Sequence, residues 1–433
     1  MNIYYISLGC PKNQTDTESL IGRLGKYGHS VSTTPEASEI ILINTCGFIQ
    51  PAVTESIDII LEMSKYKKYG KKLVVTGCMT ERYMKEVDRE LPEIDFYTGV
   101  HNYNALIDYI NKEAGVCTSN FSNISNNDRV LINLPYYAYL KISEGCDNHC
   151  SYCTIPNIRG GLVSRTIDDI EDETKALLSR GVKEIIVIAQ DTTKYGMDIY
   201  DHPAIVSLLD RLENIDEQFY IKLLYLNPDG ITDQLIDKIS LSEKIIKYFD
   251  IPIQHISNKI LKSMKRKSTG ENIKKVFEMI RSKIPDAFIR TTMIVGFPGE
   301  TDREFDEIKT FIKEYKPDYV GFFPFYAEEG TGAYRYKGRI KKSMVENRIQ
   351  ILQDLQRTNT INRINALKGK KILCFSENIS EDDNNCTEGR TLFQAPSVDG
   401  KVYFIKGVAN KGYGPYYCVV KDFKYPDIYC EEI

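Results

Sequence analysis

The chain has 433 residues, 42% of them hydrophobic and 27% charged, and a formal net charge of −4. At roughly 150 residues per domain this length suggests about three domains, with ample material for a sizeable core. The composition excludes a disordered or fibrous chain, and the slightly acidic balance gives no global basic field for nucleic acid.

From the N-terminus to residue 118, short apolar runs alternate with helical patterns. NIYYISL, EIILINT and KKLVVTG read as buried parallel strands, and DTESLIGRLGKYG and AVTESIDIILEMSKYKK as the helices between them. The expectation is a doubly wound α/β unit. The polar stretch TSNFSNISNNDRV then breaks the pattern and marks a linker over residues 119–134.

Residues 135–367 again repeat strand then helix. YAYLKIS, KEIIVIAQ, YIKLLYLN, YFDIPIQ, AFIRTTMIVG and YVGFFPFY are the candidate strands, and about six βα repeats predict a full or partial parallel barrel. The long amphipathic run MVENRIQILQDLQRTNTINRINALKG closes this segment. Residues 368–433 turn to β character: KKILCF, TLFQAP, KVYFI and YYCVVKDF read as strands, and Asp399-Gly400 as a hairpin signal. A small all-β barrel is expected there.

No stretch reaches the roughly 18 consecutive apolar residues of a spanning helix, and MNIYYISLGC lacks the basic start of an export signal. The expectation is therefore a cytoplasmic protein without membrane contact. Eleven cysteines in a reducing compartment suit metal ligation better than cross-linking.

Cys10 follows YYISLG, Cys46 follows ILINT and Cys78 follows LVVTG, each at the carboxyl end of a predicted parallel strand. That edge is where ligand sites form in open α/β sheets, so the three thiols should converge on one rim. A single such cysteine is more often a small buried residue; three in successive strand-end positions favour a metal site. Three thiolates leave one coordination position open, as suits a cluster that must accept another ligand.

Cys146, Cys150 and Cys153 form C-x-x-x-C-x-x-C just after the strand YLKIS. Zinc is one reading, because His149 lies inside the motif, but its adjacency to Cys150 makes joint chelation of one ion awkward. A 4Fe–4S cluster with one iron left free is the other. The other cysteines (Cys117, Cys374, Cys386, Cys418 and Cys430) have no metal-ligand spacing and read as buried thiols.

With Tyr152 as its aromatic, the second motif resembles the signature of radical S-adenosylmethionine enzymes. Together SLGCPKN, INTCGFI, TGC, EGCDNHCSYCTIPNIRG and MIVGFPGET resemble the methylthiotransferases of that superfamily across essentially the whole chain. The resemblance implies an N-terminal cluster domain, a radical S-adenosylmethionine barrel and a C-terminal TRAM barrel. It implies two 4Fe–4S clusters, one on Cys146, Cys150 and Cys153 that reduces S-adenosylmethionine, the other on Cys10, Cys46 and Cys78 carrying the sulfur to be delivered. One S-adenosylmethionine would methylate that sulfur, and a second would yield the 5′-deoxyadenosyl radical that abstracts hydrogen from the acceptor.

LGCPKN, CGFI, IPNIRGG, AQDTTKYG, DIPIQHIS and APSVDGKVYF look like the RimO type, which modifies the β-carbon of an aspartate on a small-subunit ribosomal protein, free or in the ribosome. The MiaB type, which modifies a tRNA adenosine, tends to read Gly-Cys-Gln-Met-Asn at the first cysteine. NQTDTE (Asn13 to Glu18) departs from the RimO pattern. Independently of resemblance, residues 368–433 hold nine Lys/Arg against ten Asp/Glu, a net −1 that suits a basic protein better than RNA. An electron donor such as flavodoxin or ferredoxin is implied. A non-catalytic iron–sulfur carrier or RNA-binding regulator would explain the cysteines but not the barrel.

Polar groups at barrel strand ends are secondary candidates. Tyr152 is expected against the adenine, Gln190 and Gln254 on the cofactor, Arg290 on its carboxylate, and Gly296 where backbone approaches the adenine. Asp191 and His255 share these strand ends, with His255 more often a structural histidine. Glu300 reads equally well as a helix cap.

Overall fold

The computed structural model describes residues 1–116, 128–379, 387–406 and 412–433. Cys117, Cys386 and most of the expected linker lie outside these residues.

The N-terminal unit runs β1 (Asn2–Ser7), α1 (Pro11–Lys26), β2 (Ser30–Val31), β3 (Ile40–Thr45), α2 (Gln50–Ser64), β4 (Lys72–Gly77), α3 (Cys78–Arg82), α4 (Met84–Glu90), β5 (Phe96–Tyr97) and α5 (Tyr103–Glu113). Its sheet is parallel in the order β2-β1-β3-β4-β5, so the strand order reverses between β1 and β3. Every residue of β3 is buried, as its unbroken apolar run requires of a strand covered on both faces. Helix α1 starts at Pro11, earlier than the sequence pattern suggested, because proline is preorganised for the first helical position.

The central unit comprises β6 (Tyr137–Lys141), β7 (Ser143–Glu144), α6 (Ile155–Arg159), β8 (Val163–Ser164), α7 (Ile167–Ser179), β9 (Glu184–Ile188), α8 (Ile205–Glu213), β10 (Tyr220–Leu223), α9 (Asp233–Leu241), β11 (Tyr248–Gln254), α10 (Asn258–Ser263), α11 (Gly270–Lys283), β12 (Phe288–Val295), α12 (Asp302–Tyr315), β13 (Tyr319–Pro324) and α13 (Lys342–Asn365). β6, β9 and β10 pair in parallel, as do β11, β12 and β13. A parallel bridge from Ile221 to Ile245 and the bond from Leu226 N to Asp250 O, 2.8 Å, carry β10 onto β11. The six strands thus stand in chain order as a partial barrel, with no pairing between β13 and β6 among the described residues.

β14 (Lys371–Ile379), β15 (Thr387–Thr391), β16 (Val402–Lys406), β17 (Tyr416–Lys424) and β18 (Asp427–Glu432) close into a small barrel of TRAM type, with Cys374, Cys418 and Cys430 fully buried in its core. This barrel docks against the amino ends of the central strands. Tyr136 stacks on Phe375 at 4.4 Å between centroids, and Phe288 on Phe393 at 3.9 Å. TLFQAP is therefore not a strand beyond Thr391: Phe393 leaves the sheet to fill that contact. Asp399-Gly400 is not a two-residue hairpin either. It lies in the connection from β15 to β16, where the Asp399 carboxylate accepts from the Tyr248 hydroxyl (2.7 Å) and from Ala395 N (2.8 Å).

Among the described residues, no helix is long and apolar enough to cross a membrane.

Candidate functional site

Cys10 caps α1 just past β1, Cys46 follows β3, and Cys78 opens α3 directly after β4. The register pairs Ser7 with Asn44 and Thr45 with Gly77, so the three strand ends are level. They flank the point where strand order reverses, the place at which open α/β sheets bind ligands. A Cβ on Gly9 would stand 2.9 Å from the Cys46 sulfur, which shows how closely the Cys10 turn approaches it. Gly77 has φ +111, and a Cβ there would meet Asn44 Oδ1 at 2.4 Å, so glycine alone lets the backbone turn into Cys78.

Burial pushes the Cys46 thiol pKa up and that of Cys78 to about 12, with the Arg159 guanidinium pulling both down. Arg159 Nη2 donates to Cys78 Sγ at 3.4 Å, and the Cys78 thiol faces Asn13 Oδ1 at 3.3 Å. A buried sulfur served by a cation suits a thiolate ligand better than a free thiol.

The second set sits on the loop between β7 and α6. Gly145 has φ +73, and a Cβ there would meet Gly161 O at 1.9 Å. His149 has φ +49 and is exposed, a left-handed turn residue between Cys146 and Cys150. Asn148 Nδ2 donates to Cys146 Sγ at 3.3 Å and to Asp191 Oδ2 at 2.7 Å; Asn227 holds the same carboxylate oxygen at 2.9 Å. Burial pushes the Cys153 thiol up to about 12. All six cysteines are free. Among the described residues no group of three or more His, Cys, Asp or Glu side chains converges on a single metal ion. A cubane asks for something else, since each thiolate binds a different iron and the sulfurs stay apart.

The two sets share one interface. Thr154, beside Cys153, donates through Oγ1 to Phe48 O at 3.2 Å, two residues past Cys46. α6 packs against α3, and Arg159 at its end reaches Cys78. Arg159 Nη1 also pairs with Asp16 (2.9 Å) and Glu144 (2.8 Å); Lys141 binds the same two carboxylates, and Gln190 Nε2 donates to Glu144. The two acidic members of NQTDTE are thus buried: Asp16 meets Arg159 of the central unit, and Glu18 meets Arg129, in the segment before β6, at 2.9 Å.

Of the secondary candidates, Tyr152 packs beside Ile260, Met264 and Phe297. Gln254 ends β11 with φ +70 at a register shift, the strained backbone expected near a ligand site. Gly296, φ +80, follows β12; a Cβ there would meet Val345 Cγ2 at 2.4 Å. Its N–H donates to Glu300 Oε2 at 2.8 Å, while Glu300 Oε1 holds Arg348 at 2.6 Å. Glu300 is fully buried, and the cap of α12 is Thr301 with Glu304. Buried His255 accepts at Nδ1 from Ile256 N and Ser257 N, both 2.9 Å, and its Nε2 stands 3.5 Å from Glu300 Oε2. Arg290 is not brought to this rim. As the third residue of β12 it lies toward the docked small barrel, paired with Asp250 and Asp399 at 3.1 Å each.

A family model described as the Radical SAM superfamily matches residues 140–312, and one described as Uncharacterized protein family UPF0004 matches residues 2–99. The ribosomal protein uS12 methylthiotransferase RimO of Carboxydothermus hydrogenoformans is 44% identical over 405 residues, 92% of this chain and 92% of that protein. Proteins of the same name from Aquifex aeolicus and Thermotoga maritima are 41% and 40% identical; they cover 93% and 94% of this chain and 90% and 94% of their own lengths. Among solved structures, the radical S-adenosylmethionine methyltransferase TsrM of Kitasatospora setae, with cobalamin and a 4Fe-4S cluster bound, aligns with a TM-score of 0.57 at 12% identity, covering 77% of this chain and 73% of that chain. That likeness speaks for the fold alone.

Proposed function

The chain belongs to the RimO family of ribosomal protein uS12 methylthiotransferases, and on that footing we propose that it adds a methylthio group to the β-carbon of an aspartate of uS12. It is a radical S-adenosylmethionine enzyme that uses S-adenosylmethionine and an iron–sulfur cluster. In the proposed site, Cys146, Cys150 and Cys153 hold that cluster, and Cys10, Cys46 and Cys78 hold a second. The observation that carries this reading is the meeting of two three-cysteine rims across one interface, tied by Arg159.

An unactivated C–H bond offers neither an acidic proton nor a leaving group. When bound, the clusters and S-adenosylmethionine supply the electron, the radical and the sulfur that such a bond demands. The chain's own residues position and shield. Arg159 and Asn148 donate to sulfurs of the two sets. The ion-pair network of Asp16, Lys141, Glu144 and Arg159 fixes one rim against the other. Glu300 anchors the Gly296 N–H, which keeps that backbone in place for an adenine to pack on it. Tyr152, Gln190 and Gln254 remain cofactor-binding proposals; Arg290, engaged by two carboxylates, is better read as a docking residue. A one-electron donor such as flavodoxin or ferredoxin would serve the reaction, and a ribosomal acceptor places it in the cytoplasm.

The test compares a host strain with and without this gene, reading intact masses of the ribosomal proteins and the nucleosides of tRNA in parallel. Loss of one methylthio group from uS12 alone is the expected result. Loss from a tRNA adenosine instead, or no change in either, would overturn the assignment.

A further inference from the structure

Among the described residues, Lys12 is a buried amine with no carboxylate partner. It extends from the first turn of α1, two residues past Cys10, and is 8% exposed. Its Nζ donates to Ala189 O at 3.2 Å, just past β9, and stands 3.4 Å from the ring centroid of Tyr225, just past β10. The side chain of an N-terminal helix therefore lies on the carboxyl rim of the central barrel, where sites of barrel enzymes form.

Among the described residues, the carboxylates near it are engaged elsewhere, and the strongest opposing charge is the Cys10 sulfur. Glu144 is held by Lys141, Arg159 and Gln190. Asp16 is held by Lys141 and Arg159. Asp250 takes Arg290 Nη1 at 3.1 Å and the Tyr225 N–H at 3.0 Å. An ammonium carries three donors, and here one meets a carbonyl and the charge lies over a ring face. A buried ammonium that has no carboxylate on it, and whose strongest opposing charge is the Cys10 sulfur two residues away, has donors left for a ligand's oxygens.

A second observation points to the same spot. Tyr225 has φ +61, a conformation that a bulky residue adopts only when its surroundings impose it. The Tyr225 N–H donates to Asp250 Oδ2 at 3.0 Å and the Thr192 N–H donates to the Tyr225 carbonyl at 3.1 Å, so the backbone that carries this ring is fixed on both sides. Strained backbone and an unpaired cation thus coincide beside the end of α1 that carries Cys10.

We propose that Lys12 is a specificity-determining residue whose ammonium receives the carboxylate of the acceptor aspartate. This rests on the uS12 reading and adds to it how the side chain is chosen. The carboxylate is one bond from the β-carbon, so gripping it restrains the carbon that reacts, and orientation of that kind lowers a barrier. An asparagine or an adenine offers no anion and would leave the lysine unpaired.

The test uses reconstituted holoenzyme and two acceptors, uS12 and uS12 with its acceptor aspartate changed to asparagine. Wild-type enzyme should bind the aspartate form at least about tenfold more tightly. Lys12→Met should bring the two affinities together and lower kcat/KM for uS12 by about 100-fold, the scale seen when one partner of a buried charge pair is truncated. Lys12→Arg should keep the preference. Iron content and S-adenosylmethionine affinity are measured alongside. Equal wild-type affinity for both acceptors overturns the proposal without recourse to any variant, which guards against a Lys12→Met protein that fails to fold. A Lys12→Met enzyme that loses S-adenosylmethionine affinity while keeping its preference also overturns it and makes Lys12 a cofactor contact. Failure of the wild-type enzyme to modify uS12 at all, with tRNA modified instead, is the failure of the uS12 reading and is recognised separately.

Discussion

Arg159 Nη2 lies 3.4 Å from the sulfur of Cys78, so the helix that follows one cysteine set donates to a sulfur of the other. The same guanidinium is fixed by Asp16, which is buried, and by Glu144, which is partly buried. Movement at either rim is therefore felt at the other through a single planar group with donors in fixed directions.

Arg159→Met should be strongly destabilising, because it breaks the buried pair with Asp16 and leaves Asp16 and Glu144 to share Lys141. A loss of about 3–5 kcal/mol is expected, as for other buried pairs broken from one side. Arg159→Lys restores charge but not the fork, so it should recover part of the stability and little of the Cys78 contact. Urea unfolding of the three proteins, with iron content of each, tests this; equal stability of Met and wild type would refute it.

Serine at Cys10, Cys46 or Cys78 should remove about half the iron, leave cleavage of S-adenosylmethionine measurable and abolish methylthio transfer. Serine at Cys146, Cys150 or Cys153 should also remove about half the iron, but with loss of both reactions. Iron assay, 5′-deoxyadenosine release and intact mass of uS12 distinguish the sets. Any serine variant that still makes product is not at a ligand position.

At Gly296 the backbone has φ +80 and a Cβ would press on Val345 at 2.4 Å. Gly296→Ala should cost about 2 kcal/mol or more from backbone strain and overpacking together, and should raise KM for S-adenosylmethionine. Thermal unfolding and steady-state kinetics measure both effects. A variant with wild-type KM would detach this backbone from cofactor binding.

Glu184 begins β9 and is buried between Lys222 Nζ, at 3.0 Å, and Arg390 of the small barrel. Burial alone would raise its pKa, but Arg390 and then Lys222 outweigh that and hold it below the ordinary carboxylate value. Its folded pKa is thus depressed. Its stabilisation is present in full above the unfolded value of about 4.3 and is lost as pH falls through the lower folded value. Glu184→Gln should be less stable at pH 7 and show a flatter acid limb. Unfolding free energies between pH 3 and 7 check the sign; parallel acid limbs would contradict it.

Much of the architecture was legible in local pattern. Unbroken apolar runs announced β3, β4 and β9 as strands covered on both faces, and the cysteines gained meaning from standing at strand ends. The small barrel was harder to read: residues 387–391 and 427–432 form strands with mixed polar sequence, while TLFQAP, apolar enough for a strand, leaves the sheet to dock. Tertiary contact outweighed propensity there.

The sequence by itself determined the order of units, the two cysteine sets and the family, because these depend on residue types at fixed spacing along the chain. Only the tertiary structure decided which polar residues matter. Lys12, Asp16, Arg159 and Glu300 stand within the quoted stretches, but their roles could not be read there, since each draws its role from a partner distant in the chain or from the loss of water around it. It likewise gave Arg290 a partner in another unit, by placing Asp399 of the small barrel 3.1 Å from its Nε. A charge in a chain is a surface charge until folding removes the solvent, and that removal is a property of the whole packing.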